Sequence, residues 1–163
     1  MDEQMWLDRM REAETSLYHV ACAILSSETD RRDAMQETAL RAWEHRRSLR
    51  NEAYFKTWVT RIAVNVCRNL LRGGWFRHVD RRVTPDALPE PTAPFTELDD
   101  TVFRAINELP RTQREVVLLY LYQDMTMREI AETLRIAPSN VSRRLAAAKK
   151  SLRGQLEGAF IHD

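Results

Sequence analysis

Ser139, Asn140 and Arg143 are the side chains in this sequence best suited to recognising another molecule by hydrogen bonds. An arginine presents a planar fork of donors that matches guanine, and an asparagine pairs with adenine. Small residues such as Ala146 and Ala147 let a helix approach a groove and touch thymine methyls. The surrounding stretch, residues 133–156, holds six Lys or Arg and no Asp or Glu, a local charge that suits a polyanion. No other chemistry is equally served. There is no Gly-rich phosphate loop, no HExxH and no CxxC, and His19, His45, His78 and His162 are scattered. An enzyme is therefore not expected, and neither a metal, a cofactor nor a small-molecule substrate is implied. Cys22 and Cys67 lie among apolar residues at helical intervals and match no metal spacing, as buried reduced thiols do.

The elements that would position those side chains are legible around them. Thr126-Met127-Arg128-Glu129 has the spacing of a capping box and opens a short helix through about Leu134. Pro138 fits the first turn of a further helix, where its missing N–H has no partner to lose. At about 100° per residue, Val141, Leu145, Ala148 and Leu152 share one side of that helix, facing Ile130, Ala131 and Leu134. Ser139, Asn140, Arg143, Ala146, Ala147 and Lys150 lie roughly opposite, with Arg144, Lys149 and Arg153 on the flanks. Short helix, tight turn and longer helix describe a helix-turn-helix, whose second helix enters the DNA major groove. Ahead of it, Leu98, Val102, Ala105, Ile106 and Leu109 mark a helix stopped by Pro110. A helix over 111–123 follows, apolar enough at VVLLYLY to be buried nearly all round.

The N-terminal part is also helical. Phe55, Trp58, Val59, Ile62, Ala63, Val66, Cys67, Leu70 and Leu71 form a long apolar stripe, with Asn51 as its N-cap and Gly73 as a left-handed C-terminal residue. Ala34, Met35, Thr38, Ala39, Ala42 and Trp43 mark a helix beginning near Asp30; Leu17, Val20, Ala21, Ile24 and Leu25 mark one before it. Between the halves, Gly73-Gly74 and Pro85, Pro89, Pro91 and Pro94 forbid regular structure. The expected fold is all-α: two small helical domains, 1–72 and 97–163, joined by a linker over 73–96. The 163 residues carry a net charge of +1, but residues 46–82 hold ten basic residues against Glu52 and Asp80. A second basic stretch in the other half is thus paired with the first. No apolar run approaches the roughly 20 residues of a membrane span, and the N-terminus MDEQMWLDRM is unlike a signal peptide, so a cytoplasmic protein is expected.

DAMQETALRAW (33–43), FKTWVTRIAVNVCRNLLR (55–72) and LPRTQREVVLLYLYQDMTMREIAETLRIAPSNVSRRLAAAKKSLR (109–153) together resemble bacterial RNA polymerase sigma factors of the extracytoplasmic-function (ECF) group. The resemblance implies a transcription initiation factor with core RNA polymerase and promoter DNA as partners, a flexible linker, and a monomer when free. Many members of that group are also held by an anti-sigma protein. It implies polymerase contact at Asp33, Gln36, Glu37 and Arg41, with Trp43 in the core, and minus-ten contact at Asn51, Tyr54, Lys56, Thr57, Arg61 and Asn65. The minus-thirty-five contacts it implies are Arg128, Ser139, Asn140, Ser142, Arg143, Arg144 and Lys149. Three residues depart from the group's pattern: Ala39 where Phe is common, Asn69 where Asp is common, and Arg135 where the turn usually has Gly. Two other readings compete, a dimeric helix-turn-helix regulator and an adaptor that binds only protein.

Overall fold

Helix α1 (Glu3–Ile24) starts where the Asp2 carboxylate accepts from the Met5 N–H at 2.8 Å, satisfying one of the first-turn donors that a helix leaves unpaired. It ends at Leu25, which leaves the helix for extended backbone. The Ser27 hydroxyl caps α2 (Glu28–Glu44), two residues earlier than the apolar pattern suggests. Two 3-10 turns, Arg46–Ser48 and Glu52–Tyr54, lead into α3 (Phe55–Arg72). The computed structural model describes residues 1–73 and 97–160, with side chains through 73 and from 101 to 155. Nearly all of the expected linker, His78 and His162 lie outside the described residues.

These three helices pack on one another. The contact side of α2 is built from small residues, Ala34, Thr38 and Ala42, each at most 1% exposed, which lets its neighbours approach closely. Around them Leu17, Phe55, Val59 and Ala63 form the buried centre, with Trp6, Met10, Met35, Leu49, Trp58 and Ile62 packed on its margin. Burying each large apolar side chain contributes about 1.5–3 kcal/mol. Tyr18 adds a polar tie by donating to the Glu28 carboxylate at 2.6 Å. Burial, and then that hydrogen bond, raise its phenol well above the usual value. Cys22 and Cys67 are buried free thiols.

Three details differ from the sequence pattern. The buried arc of α3 extends to Thr60 and Val64, while Leu71 is exposed and Trp58 and Ile62 are only half-buried. A helix wedged against two neighbours must bury a wider arc than one lying on a single surface, which shifts the arc's centre. Asn51 caps the 3-10 turn, accepting from the Ala53 N–H at 3.0 Å, and not α3 itself. Gly73 is not left-handed: with φ −93° it donates in helical fashion to Asn69 O at 2.9 Å. A Cβ there would sit 3.3 Å from that oxygen, a close approach, and handedness does not call for glycine.

The second part holds α4 (Glu97–Asn107), α5 (Arg111–Leu121), α6 (Met127–Leu134) and α7 (Pro138–Phe160). Helix α7 touches each of the other three. The core gathers Ile106, Leu109, Val116, Val117, Leu118, Leu119, Met125, Ile130, Leu134, Val141 and Leu145. The encircling burial expected of α5 holds for Glu115 to Leu119 but fails at its end, where Leu121 is exposed and Tyr120 and Tyr122 are half-buried. Among the described residues there is no strand and no helix long and apolar enough to cross a membrane. Contacts divide the chain into two compact units, Met1–Thr92 and Ala93–Asp163.

Candidate functional site

In the second unit the capping box forms in full: Glu129 N–H donates to Thr126 Oγ1 and Thr126 N–H to Glu129 Oε1, both at 3.1 Å. Helix α6 then stops at Arg135, whose φ of 57° and ψ of 48° are left-handed. The tight turn is thus kept without glycine, at the steric cost that a Cβ incurs there. Arg135 and Ile136 donate their N–H groups to Ala131 O, and the chain re-enters helix at Pro138.

Helix α7 sorts its side chains cleanly. Val141, Leu145, Ala148 and Leu152 are buried, while Ser139, Ser142, Arg143, Ala146, Ala147, Lys149 and Lys150 are exposed. Arg143 donates to the Asn140 side-chain oxygen, so these two candidate base readers hold one another until a ligand competes for them. Asn140 and Arg144 are both half-buried, Arg144 lying nearer the packed side of the helix. The Lys149 ammonium lies 5.3 Å from the centre of the half-buried Tyr120 ring, a cation–π distance. Arg128, on α6, is almost fully exposed and pairs loosely with Glu132 at 3.8 Å, a contact worth under about 1 kcal/mol.

In the first unit the residues of α2 opposite its small-residue side form a second outward face. Gln36 is exposed, Asp33 is half-buried, and Arg41 Nε donates to Glu37 Oε1 at 2.8 Å. Leu40, 51% exposed, sits among them, and the sequence reading passed over it. The signal was available: position 40 falls a turn from Gln36 and Glu37 on the side away from Ala34, Thr38 and Ala42. A large exposed aliphatic ringed by charge is the composition of a docking surface. Trp43 is at the margin of the core and not inside it. It meets Trp6 edge to face at 5.1 Å, and the Arg46 guanidinium stacks 3.7 Å from its ring.

The loop before α3 and the early turns of that helix make a third surface. Tyr54 is 62% exposed; among the described residues of this unit no other Phe, Tyr or Trp ring is exposed. Asn51 and Asn65 are exposed, and Thr57 and Arg61 half-buried. Thr57, Arg61 and Asn65 share one side of α3, with Trp58 beside them. Trp58 Nε1 donates to Ser48 Oγ at 3.3 Å and so pins the loop to the helix. Lys56 does not join this group, because it lies on the side of α3 that carries Thr60 and Val64. Arg68 and Arg72 extend the cationic line along the Arg61 side, and Arg47 and Arg50 add charge to the loop; the sequence counts all four in the basic stretch 46–82 without naming them as contacts.

Two family models match the chain, one described as Sigma-70 region 2 over residues 10–77 and the other as Sigma-70, region 4 over residues 100–152. Among curated relatives, a probable RNA polymerase sigma factor, RfaY, of Xanthomonas campestris is 26% identical over 86% of this chain, which spans 38% of that protein's length. The ECF RNA polymerase sigma factor SigW of Bacillus subtilis is 25% identical over 95% of this chain and 90% of its own. Among solved structures, the sigma factor RpoE from Bartonella quintana, in complex with the anti-sigma factor NepR, superposes with a TM-score of 0.65 at 21% identity, covering 92% of this chain and 97% of that one. The matched regions do not favour a dimeric regulator, which would need only the second of them. Because both sigma-70 regions match here, and curated relatives such as SigW are named ECF RNA polymerase sigma factors, the chain belongs to the sigma-70 family of RNA polymerase sigma factors, in its ECF group.

Proposed function

We propose that this sigma factor docks on core RNA polymerase through the outward face of α2, centred on Leu40 with Asp33, Gln36, Glu37 and Arg41. In the same proposal Asn51, Tyr54, Thr57, Arg61 and Asn65 capture an unpaired base of the minus-ten element. Helix α7 reads the minus-thirty-five duplex, with Asn140 and Arg143 at base edges and Ser139, Ser142, Lys149 and Arg128 toward phosphates. Residues 1–72 then carry the polymerase and minus-ten contacts and 97–163 the minus-thirty-five contacts. The 24 residues of 73–96 span at most about 80 Å, against about 3.4 Å per base pair of duplex, enough for two separate promoter elements. The protein acts in the cytoplasm without catalysing a reaction, is a monomer when free, and has an anti-sigma protein as a further partner. The relative crystallised with NepR supports that last assignment.

The observation that carries the reading is the sorting of α7, with every residue of its apolar seam buried and Ser139, Arg143 and Lys150 open to solvent. Run-off transcription with purified core polymerase on a promoter library tests it. The wild-type chain should yield discrete start sites, and Leu40→Asp should bind core at least about tenfold more weakly, as loss of a central interface anchor does, with unchanged thermal denaturation. Transcripts that do not depend on the added chain reject the proposal.

A further inference from the structure

Arg135, in the turn of the recognition motif, has no part in the roles above. Its backbone is left-handed, φ 57° and ψ 48°, a conformation that glycine adopts freely and that few L-residues occupy. Its side chain is exposed, and among the described residues the guanidinium has no hydrogen-bond or ion-pair partner. The turn returns part of the backbone cost through the Arg135 and Ile136 N–H bonds to Ala131 O, which glycine would make equally, whereas the arginine side chain returns none of it. The residue stands three positions before Pro138, in the turn that delivers the chain into α7, and its positive charge is one of the six of residues 133–156. Duplex DNA presents a charge about every 1.7 Å along its axis, and a guanidinium grips phosphate through paired hydrogen bonds.

We infer that Arg135 is a phosphate-gripping residue for the DNA duplex read by α7, held in a strained turn at the expense of fold stability. This rests on the assignment of α7 as the minus-thirty-five reader. It assigns Arg135 a register-setting task that is blind to sequence: it clamps the backbone beside the entry of α7, while base edges are left to Asn140 and Arg143. Strain kept at a binding site in this way makes the two properties trade against each other.

The test uses holoenzyme reconstituted from core polymerase and the full chain, titrated onto a labelled upstream duplex that carries the minus-thirty-five element found by run-off. Arg135→Gly should raise the thermal midpoint of the free chain by about 3 °C, since relief of backbone strain moves a small domain by that much. The same variant should weaken duplex binding about fivefold at low salt. It should also lower the slope of log affinity against log salt by about 0.9, one phosphate's worth. Arg135→Gln should lose the same affinity and slope without the gain in stability, and Arg135→Lys should keep most of the binding. Loss should be equal on cognate and scrambled duplexes. If Arg135→Gly binds with unchanged affinity and slope while Arg143→Ala weakens binding, the phosphate role is overturned and the α7 assignment stands. If neither variant weakens binding, both fall together.

Discussion

At the scale of single residues, the surface of α7 separates two kinds of contact that DNA-binding proteins combine. Arg143 is tied only to Asn140, on its own helix, and can exchange that bond for a base edge; Lys149 rests over the Tyr120 ring at the flank. Arg143→Ala should therefore change preference at one base of the minus-thirty-five element by about 1–3 kcal/mol. Lys149→Ala should weaken all sequences alike and reduce the salt slope by about one. Competition binding on a randomised element, repeated at several salt concentrations, distinguishes the two, and identical behaviour would show the face to be misassigned. Because Arg143 and Asn140 share a hydrogen bond, removal of both should cost less than the sum of the single losses.

At the scale of elements, α3 shows how a shared core redistributes burial. Val64 is fully buried and Leu71 exposed, the reverse of their places in the apolar stripe. Val64→Ala should cost about 2 kcal/mol, as removal of buried methyl groups does, and Leu71→Ala under about 0.5 kcal/mol. Urea denaturation of the two variants measures the difference. The amphipathic seams of α7 and α6, the capping box at Thr126 and the buried stretch of α5 were all legible in the sequence, because each is fixed by local spacing or by one neighbouring helix. The positions that escaped were decided by more distant partners. Thr60 and Val64 are buried because α3 meets both α1 and α2; Lys56 turns away from Arg61 simply because five residues of helix separate them by about 140°. The Asn51 cap serves a 3-10 turn that periodicity cannot anticipate. Leu40 was overlooked because only the charged and polar residues of α2 were taken as contacts, although its register places it outside among them.

At the scale of the whole molecule, the aromatic surface exposed among the described residues bears on what the first unit can do alone. Unstacking a base costs a few kcal/mol, and one stacking ring returns about 1–3 kcal/mol. Tyr54 is the exposed Phe, Tyr or Trp ring among the described residues of the first unit, and it offsets the extrusion of about one base. The isolated protein should accordingly leave promoter thymines unreactive to permanganate, and reactivity should appear when core polymerase is added. A bubble opened by the free chain would refute this division of labour. The second unit imposes a different constraint, since α7 touches every other helix around it. Helix and foundation are the same object there. A lineage can re-address such a protein to new promoters by exchanging its solvent-side residues at almost no cost to folding, but it cannot soften the reader to adjust grip without dismantling the building that holds it. Regulon drift is thereby channelled into a handful of outward positions, and adjustment of affinity into peripheral charges.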